Sequence, residues 1–152
     1  MRILIAAVGR AKRGPARDLY EHYARRLRWP LILKEIDERR PLPPQSLKER
    51  KAERLLAAVP AGACLVVVDE GGATLTSTEF AAKIRSWQEA GVADLVFAIG
   101  DAEGHAEILR RRADFVLSLG AMTWPHLLVR GLLAEQLYRA QQILAGHPYH
   151  RD

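Results

Sequence analysis

Five short apolar runs punctuate the chain, at Ile3 to Val8, Leu31 to Ile36, Cys64 to Asp69, Leu95 to Ile99 and Phe115 to Leu117. They are continuous rather than alternating, the pattern of strands covered on both faces. Between them the apolar positions change to helical spacing. Pro15 opens a first helical segment that runs to about Arg28, and proline suits the first helical turn. Ser46 stands three residues before Glu49, a capping-box spacing that predicts the start of a second helix, and Thr76 and Glu79 repeat it at a third. Gly104 to Arg112 reads as a short fourth helix and Pro125 to Ala145 as a long fifth. Five alternations of strand and helix predict an α/β fold: a parallel sheet of about five strands with helices on both faces. No repeat, low-complexity tract or linker divides residues 1–152, so a single domain is expected.

Composition adds limits. At 152 residues the chain is long enough to bury a core. Its apolar runs are too short to cross a membrane. The opening MRILIAAVGR is followed at once by Lys12 and Arg13, which makes it a first strand rather than a signal peptide. The one cysteine, Cys64, lies inside an apolar run and reads as a buried core residue in a reducing, cytoplasmic setting. The net charge is +5, and arginine supplies 18 of the 23 basic residues. That balance suits a polyanionic partner. A basic protein with no nucleic-acid role stays open on charge alone.

In an open parallel sheet, ligands bind beyond the carboxyl ends of the strands. The loops at issue are Gly9 to Gly14, Glu70 to Leu75, Gly100 to Glu103 and Leu119 to Trp124. The first, VGRAKRG, has neither a dinucleotide nor a P-loop fingerprint. Lys12 and Arg13 are either phosphate contacts or ordinary loop charges, and Asp37 to Pro44, with Arg39 and Arg40, is either a polyanion contact or, by default, a solvated turn. Asp69 and Glu70 have no histidine or cysteine cluster near them, so no metal site is expected. In AIGDAEG, Gly100 allows close backbone approach and Gly104 a tight helix entry. Glu103 is favoured at a helix start by the dipole. This loop and Leu119 to Trp124 together can wrap an adenosine, with Leu119, Met122 and Trp124 on its faces. Core packing is the alternative for that trio, and the favoured one for Met122. On the last helix His126, Arg130 and Glu135 need not share a face, so no triad is expected there. Arg130 is either a cofactor or phosphate contact or half of a structural ion pair. Leu127, Leu128, Leu132, Leu133 and Leu137 form a broad apolar surface, core on one side and subunit interface on the other. The tail His147 to Arg151, past a helix stop at Gly146, is rich in hydrogen-bonding side chains and reads as functional.

Taken together, RILIAAVGR, AIGDAEG and LSLGAMTWPHLLVRGLLAEQLYRAQQILAGHPYHRD resemble the RlmH family, SPOUT-class methyltransferases of large-subunit ribosomal RNA. The likeness covers nearly the whole chain and is densest after residue 95. It implies a C-terminal trefoil knot, a homodimer, S-adenosylmethionine as cofactor, and methylation of N3 of a pseudouridine in 23S RNA on assembled ribosomes. The cofactor positions it implies are Val68, Gly100, Leu119, Gly120, Ala121, Met122, Thr123 and Trp124. The family's second turn glycine is here Asp101, and the asparagine expected before HPYH is here Gly146. N3 of pseudouridine must lose a proton, and histidine titrates in a suitable range. His150, with Tyr149 and Arg151, is therefore expected to close the partner subunit's site, with His150 as base. With no appended RNA-binding domain expected, recognition falls to the dimer surface, the basic loops and the ribosome. Rival readings are a knotted methyltransferase for another RNA base, a non-catalytic ribosome-binding module on the same fold, and, more distantly, a flavodoxin-like nucleotide-binding domain.

Overall fold

Strands β1 (Arg2–Val8), β2 (Leu31–Ile36), β3 (Cys64–Thr74), β4 (Asp94–Ile99) and β5 (Phe115–Ser118) form one sheet in the order β2-β1-β4-β3-β5. Every pairing is parallel. The computed structural model describes residues 1–101 and 104–151, so Glu103, expected at a helix start, lies outside the described residues. Helices α1 (Pro15–Ala24), α3 (Ser77–Glu89) and α5 (His126–Leu144) cover one face. Helices α2 (Pro44–Ala57) and α4 (Glu107–Arg112) cover the other.

Alternation along the strands feeds both layers. Ile3, Ile5 and Ala7 of β1 pack with Phe80 and Ile84 of α3 and with Leu133 and Leu137 of α5. Ala6 and Val8 pack instead with Ala52 and Leu55 of α2 and Leu109 of α4. The apolar runs are continuous because both faces are buried, as expected for a parallel sheet. The exception is the edge strand β2, where Ile32 is 56% exposed. Cys64 is buried in the first layer, as its sequence context implied, and burial raises its thiol pKa.

Several boundaries differ from the expectation. The capping box at α3 is present: Glu79 N–H donates to Thr76 Oγ1 at 3.1 Å and Thr76 N–H to Glu79 Oε2 at 2.7 Å. The second one is not. Helix α2 starts at Pro44, before Ser46, and Glu49 instead accepts from Gln45 Nε2 at 3.1 Å. Proline's fixed φ is pre-organised for that first helical position. Helix α1 ends at Ala24 rather than near Arg28, whose N–H is taken by Gln141 of α5 at 2.6 Å. Helix α4 begins at Glu107 rather than at Gly104, whose N–H instead donates to the Asp101 carbonyl at 3.0 Å.

The largest difference is in β3. The segment Glu70 to Leu75, expected as a loop, mostly continues the strand. Val66 to Val68 pair with Phe115 to Leu117, the ladder breaks, and Ala73 and Thr74 resume it against Leu117 and Ser118. A Cβ on Gly72 would lie 2.6 Å from the Val116 carbonyl oxygen, so only glycine allows this crossing. The irregularity pushes Asp69 to Gly71 out of the ladder at the carboxyl end of the sheet, a common place for a bulge beside a site.

Candidate active site

The carboxyl ends of β3, β4 and β5 surround a cavity of about 1030 Å³. Its walls bring together Val68, Gly100, Leu119, Gly120, Met122, Thr123 and Trp124, residues the sequence placed there. Ala121 is exposed in the same loop and does not line the cavity. Met122 is 75% exposed at the cavity, which sets aside the core-packing alternative for it. Trp124, at 41%, is also accessible.

Local bonds fix the shape of the loop. Gly120 N–H donates to Ser118 Oγ, and Ser118 Oγ donates to the Gly120 carbonyl, each at 3.1 Å. Trp124 Nε1 donates to the Leu119 carbonyl at 3.4 Å. Thr123 Oγ1 donates to Glu70 Oε1 at 3.2 Å, tying the loop to the β3 irregularity.

Three carboxylates face this space, from Asp69, Glu70 and Asp101. Burial opposes ionisation of Asp69, but Gly71 N–H at 3.0 Å and Arg110 at 3.1 Å outweigh it and hold its pKa below the usual range. Asp101, the departure from the family turn, is paired with Lys51 of α2. Its charge is thus balanced from outside the cavity. Among the described residues no cluster of ligating side chains could hold a metal ion.

Sequence reading missed His105 and Arg110. His105 is 4% exposed, and its Nε2 lies 3.0 Å from the Val68 carbonyl. A carbonyl only accepts, so Nε2 carries the proton. The ring also fills the space where a Gly100 Cβ would stand, 2.9 Å from its Cε1. It therefore braces two strand ends at once. Its signal in the sequence was faint, a lone histidine directly after Gly104, and its partner is 37 residues away. Burial pushes the His105 pKa below its ordinary 6.5. The unfolded chain then binds a proton that the folded one refuses, so stability falls as pH drops below about 6.5 toward the folded pKa. Urea midpoints between pH 7.5 and 5.5 should fall for the native chain and fall less for His105→Asn.

Arg130 proves structural. It is 1% exposed and donates to Glu35 Oε2 at 2.6 Å and to the carbonyls of Val8 and Gly9 at 3.1 and 2.7 Å. His126 lines the cavity, whereas Arg130 and Glu135 do not.

The tail lies elsewhere on the chain. Gly146 (φ 72°) and His147 end α5 in a Schellman arrangement, their N–H groups donating to the carbonyls of Ile143 and Gln142. This folds Tyr149 back on α5. Its hydroxyl donates to Glu135 Oε1 at 3.1 Å, its ring meets Tyr138 edge-on at 4.8 Å, and Arg139 covers it at 4.9 Å. Arg139 Nη1 lies 3.2 Å from His150 Nδ1. Arg151 is exposed. None of the three lines the cavity of its own chain. Glu135 and Arg139 instead border a second hollow of about 510 Å³, which shares Leu119, Gly120 and Trp124 with the first. The loop is a partition, with the cavity on one side and the hollow beside the tail on the other.

A parallel sheet with its cavity among strand-end loops is the arrangement of an open α/β ligand-binding domain. The family described as predicted SPOUT methyltransferases matches residues 1–150. Two similar relatives are named ribosomal RNA large subunit methyltransferase H. The one from Rhodospirillum centenum is 59% identical and that from Paramagnetospirillum magneticum 56%, each over 151 residues and 99% of both chains. The chain belongs to this RlmH family of SPOUT methyltransferases. Among solved structures, the SpoU methyltransferase AviRb from Streptomyces viridochromogenes, in complex with AdoMet, has a TM-score of 0.51 at 13% identity. That likeness concerns the fold. It covers 93% of this chain, and the chain spans 58% of the length of that structure.

Proposed function

We propose that this protein methylates N3 of a pseudouridine in large-subunit ribosomal RNA with S-adenosylmethionine, acting on assembled ribosomes as a cytoplasmic homodimer with a C-terminal trefoil knot. Membership of the RlmH family supports the reaction class. The observation that carries the reading is the partition loop, which separates a cavity for the donor from a hollow beside the tail.

The cavity's chemistry suits the cofactor. Gly120 leaves backbone open to a base edge, Gly100 lines the same cavity, and Leu119, Met122 and Trp124 supply apolar faces. Asp69 and Glu70 suit its cationic groups. When bound, the cofactor supplies an electrophilic methyl group on a sulfonium. The protein's work is then to align N3 with that methyl and to receive the N3 proton. His150 is the base in this proposal, with Tyr149 closing the site and Arg151 facing the anion that develops on the base carbonyls. The docked tail does not present a free basic nitrogen at Nδ1. Arg139 can only donate, so Nδ1 accepts and the ring proton sits on Nε2. His150 must leave Arg139 to act, in keeping with delivery to a partner's site.

Methyl transfer to ribosomes lacking the mark tests this. His150→Ala should lower turnover about 100-fold, within the usual range for losing a general base, while calorimetric S-adenosylmethionine binding persists. Unchanged turnover would remove His150 from the base role. Mixing His150→Ala chains with Gly100→Ala chains should restore part of the activity if the tail acts across the dimer. No restoration would place tail and cofactor in one chain.

A further inference from the structure

The loop Gly9 to Gly14 is pinned along its backbone while its cations face solvent. Gly9 N–H donates to the Ile36 carbonyl at 2.8 Å, and Ala11 N–H to Glu35 Oε2 at 2.7 Å. The buried Arg130 fork bonds the Val8 and Gly9 carbonyls and that same Glu35 oxygen. Arg10, Lys12 and Arg13 are all exposed. Arg10 pairs loosely with Asp37, at 3.9 Å, and Asp37 is held more closely by Arg39 at 2.8 Å. Among the described residues, Lys12 and Arg13 have no ion pair.

The neighbouring loop after β2 adds Arg39 and Arg40, whose side chains are 78% and 58% exposed. Glu38 is 3% exposed and is shared by Arg40, Arg50 and Arg54. Like charges therefore crowd two adjoining strand-end loops, with few carboxylates left to offset them. The position ties this edge to the active site. A Cβ on Gly9 would lie 3.3 Å from His126 Nε2, and His126 lines the cofactor cavity.

Cations on an already ordered backbone lose less freedom on contact than those on a loose loop, and guanidinium groups match phosphate geometry. We infer that Arg10, Lys12 and Arg13 form a rim that seats ribosomal RNA phosphates beside the cofactor cavity, with the Glu35–Arg130 pair as the clamp that positions it. The inference rests on the ribosomal RNA methylation proposed above. It goes further by naming the surface that meets the RNA.

The test is binding of the dye-labelled full chain to purified large ribosomal subunits lacking the mark, between 50 and 200 mM salt. Two lost phosphate contacts should reduce the slope of log affinity against log salt by about 1.5 in Lys12→Ala/Arg13→Ala. Cofactor binding by calorimetry should not change. Lys12→Arg/Arg13→Lys, which conserves charge, should keep the native slope. Glu35→Gln should weaken binding while leaving the slope close to native, since the cations remain but their platform loosens. An unchanged slope in the double alanine variant, with native methyl transfer by the parent chain, overturns the rim and leaves the methyltransferase reading standing. A parent chain that binds cofactor but neither binds nor methylates the subunits overturns both.

Discussion

Replacing Arg130 by methionine should lower the unfolding free energy by about 3 kcal/mol, read as a fall in the denaturant midpoint at unchanged slope. Breaking one partner from a buried ion pair costs roughly 3–5 kcal/mol because the other polar groups are stranded. Here the stranded groups are Glu35 and the carbonyls of Val8 and Gly9. Methionine keeps most of the packing, and the Glu35 side chain, 32% exposed, can regain water, which places the expectation at the lower end. Glu35→Gln/Arg130→Met should recover part of the loss. The pH dependence follows from Glu35. Burial opposes its ionisation, but Ala11 N–H and Arg130 together hold its pKa below the ordinary 4.5. A carboxylate depressed in the folded state contributes stability above its unfolded pKa and loses it as pH falls through the folded one. The gap between parent and Arg130→Met should therefore be full near neutrality and narrow below about pH 4.5. A gap that widens in acid would mean that Glu35 is not the group stabilised.

Gly100→Ala should weaken S-adenosylmethionine binding at least tenfold, about 1.4 kcal/mol, with the fold retained. The new Cβ would stand 2.9 Å from His105 Cε1 and 3.1 Å from the Gly104 carbonyl oxygen. His105 cannot simply move aside, because its Nε2 is bonded to the Val68 carbonyl on the neighbouring strand. Gly100 and Gly104 must shift instead, and both line the cavity. Gly100→Ala/His105→Ala should bind better than Gly100→Ala alone, since the second change restores room. Native affinity in the single variant would detach this turn from the cofactor site.

Much of the cavity wall was legible in the sequence because it comes from contiguous loops at strand ends. The apolar runs and capping signals located those ends to within a few residues. Arg130 was ambiguous for a physical reason: an arginine on a helix looks the same whether it meets solvent, phosphate or Glu35, which is 95 residues away. Met122 kept a core alternative because hydrophobicity alone does not distinguish a core residue from one lining an open cavity. The β3 extension escaped because backbone pairing depends on the partner strand, and EGGAT carries little strand propensity of its own.

The sequence by itself determined the alternating α/β order, the single parallel sheet, the ends of β1, β4 and β5 where loops begin, and the family. Each is local in the chain, written in periodicity, capping residues or a contiguous motif. Only the tertiary structure decided that His105 braces Val68 and Gly100, that Lys51 balances Asp101, and that one loop separates the cavity from a hollow beside the tail. It also showed the cations of the first loop to be held on a buried clamp. Those relations join residues far apart in sequence, and they exist once the sheet has brought the strand ends side by side.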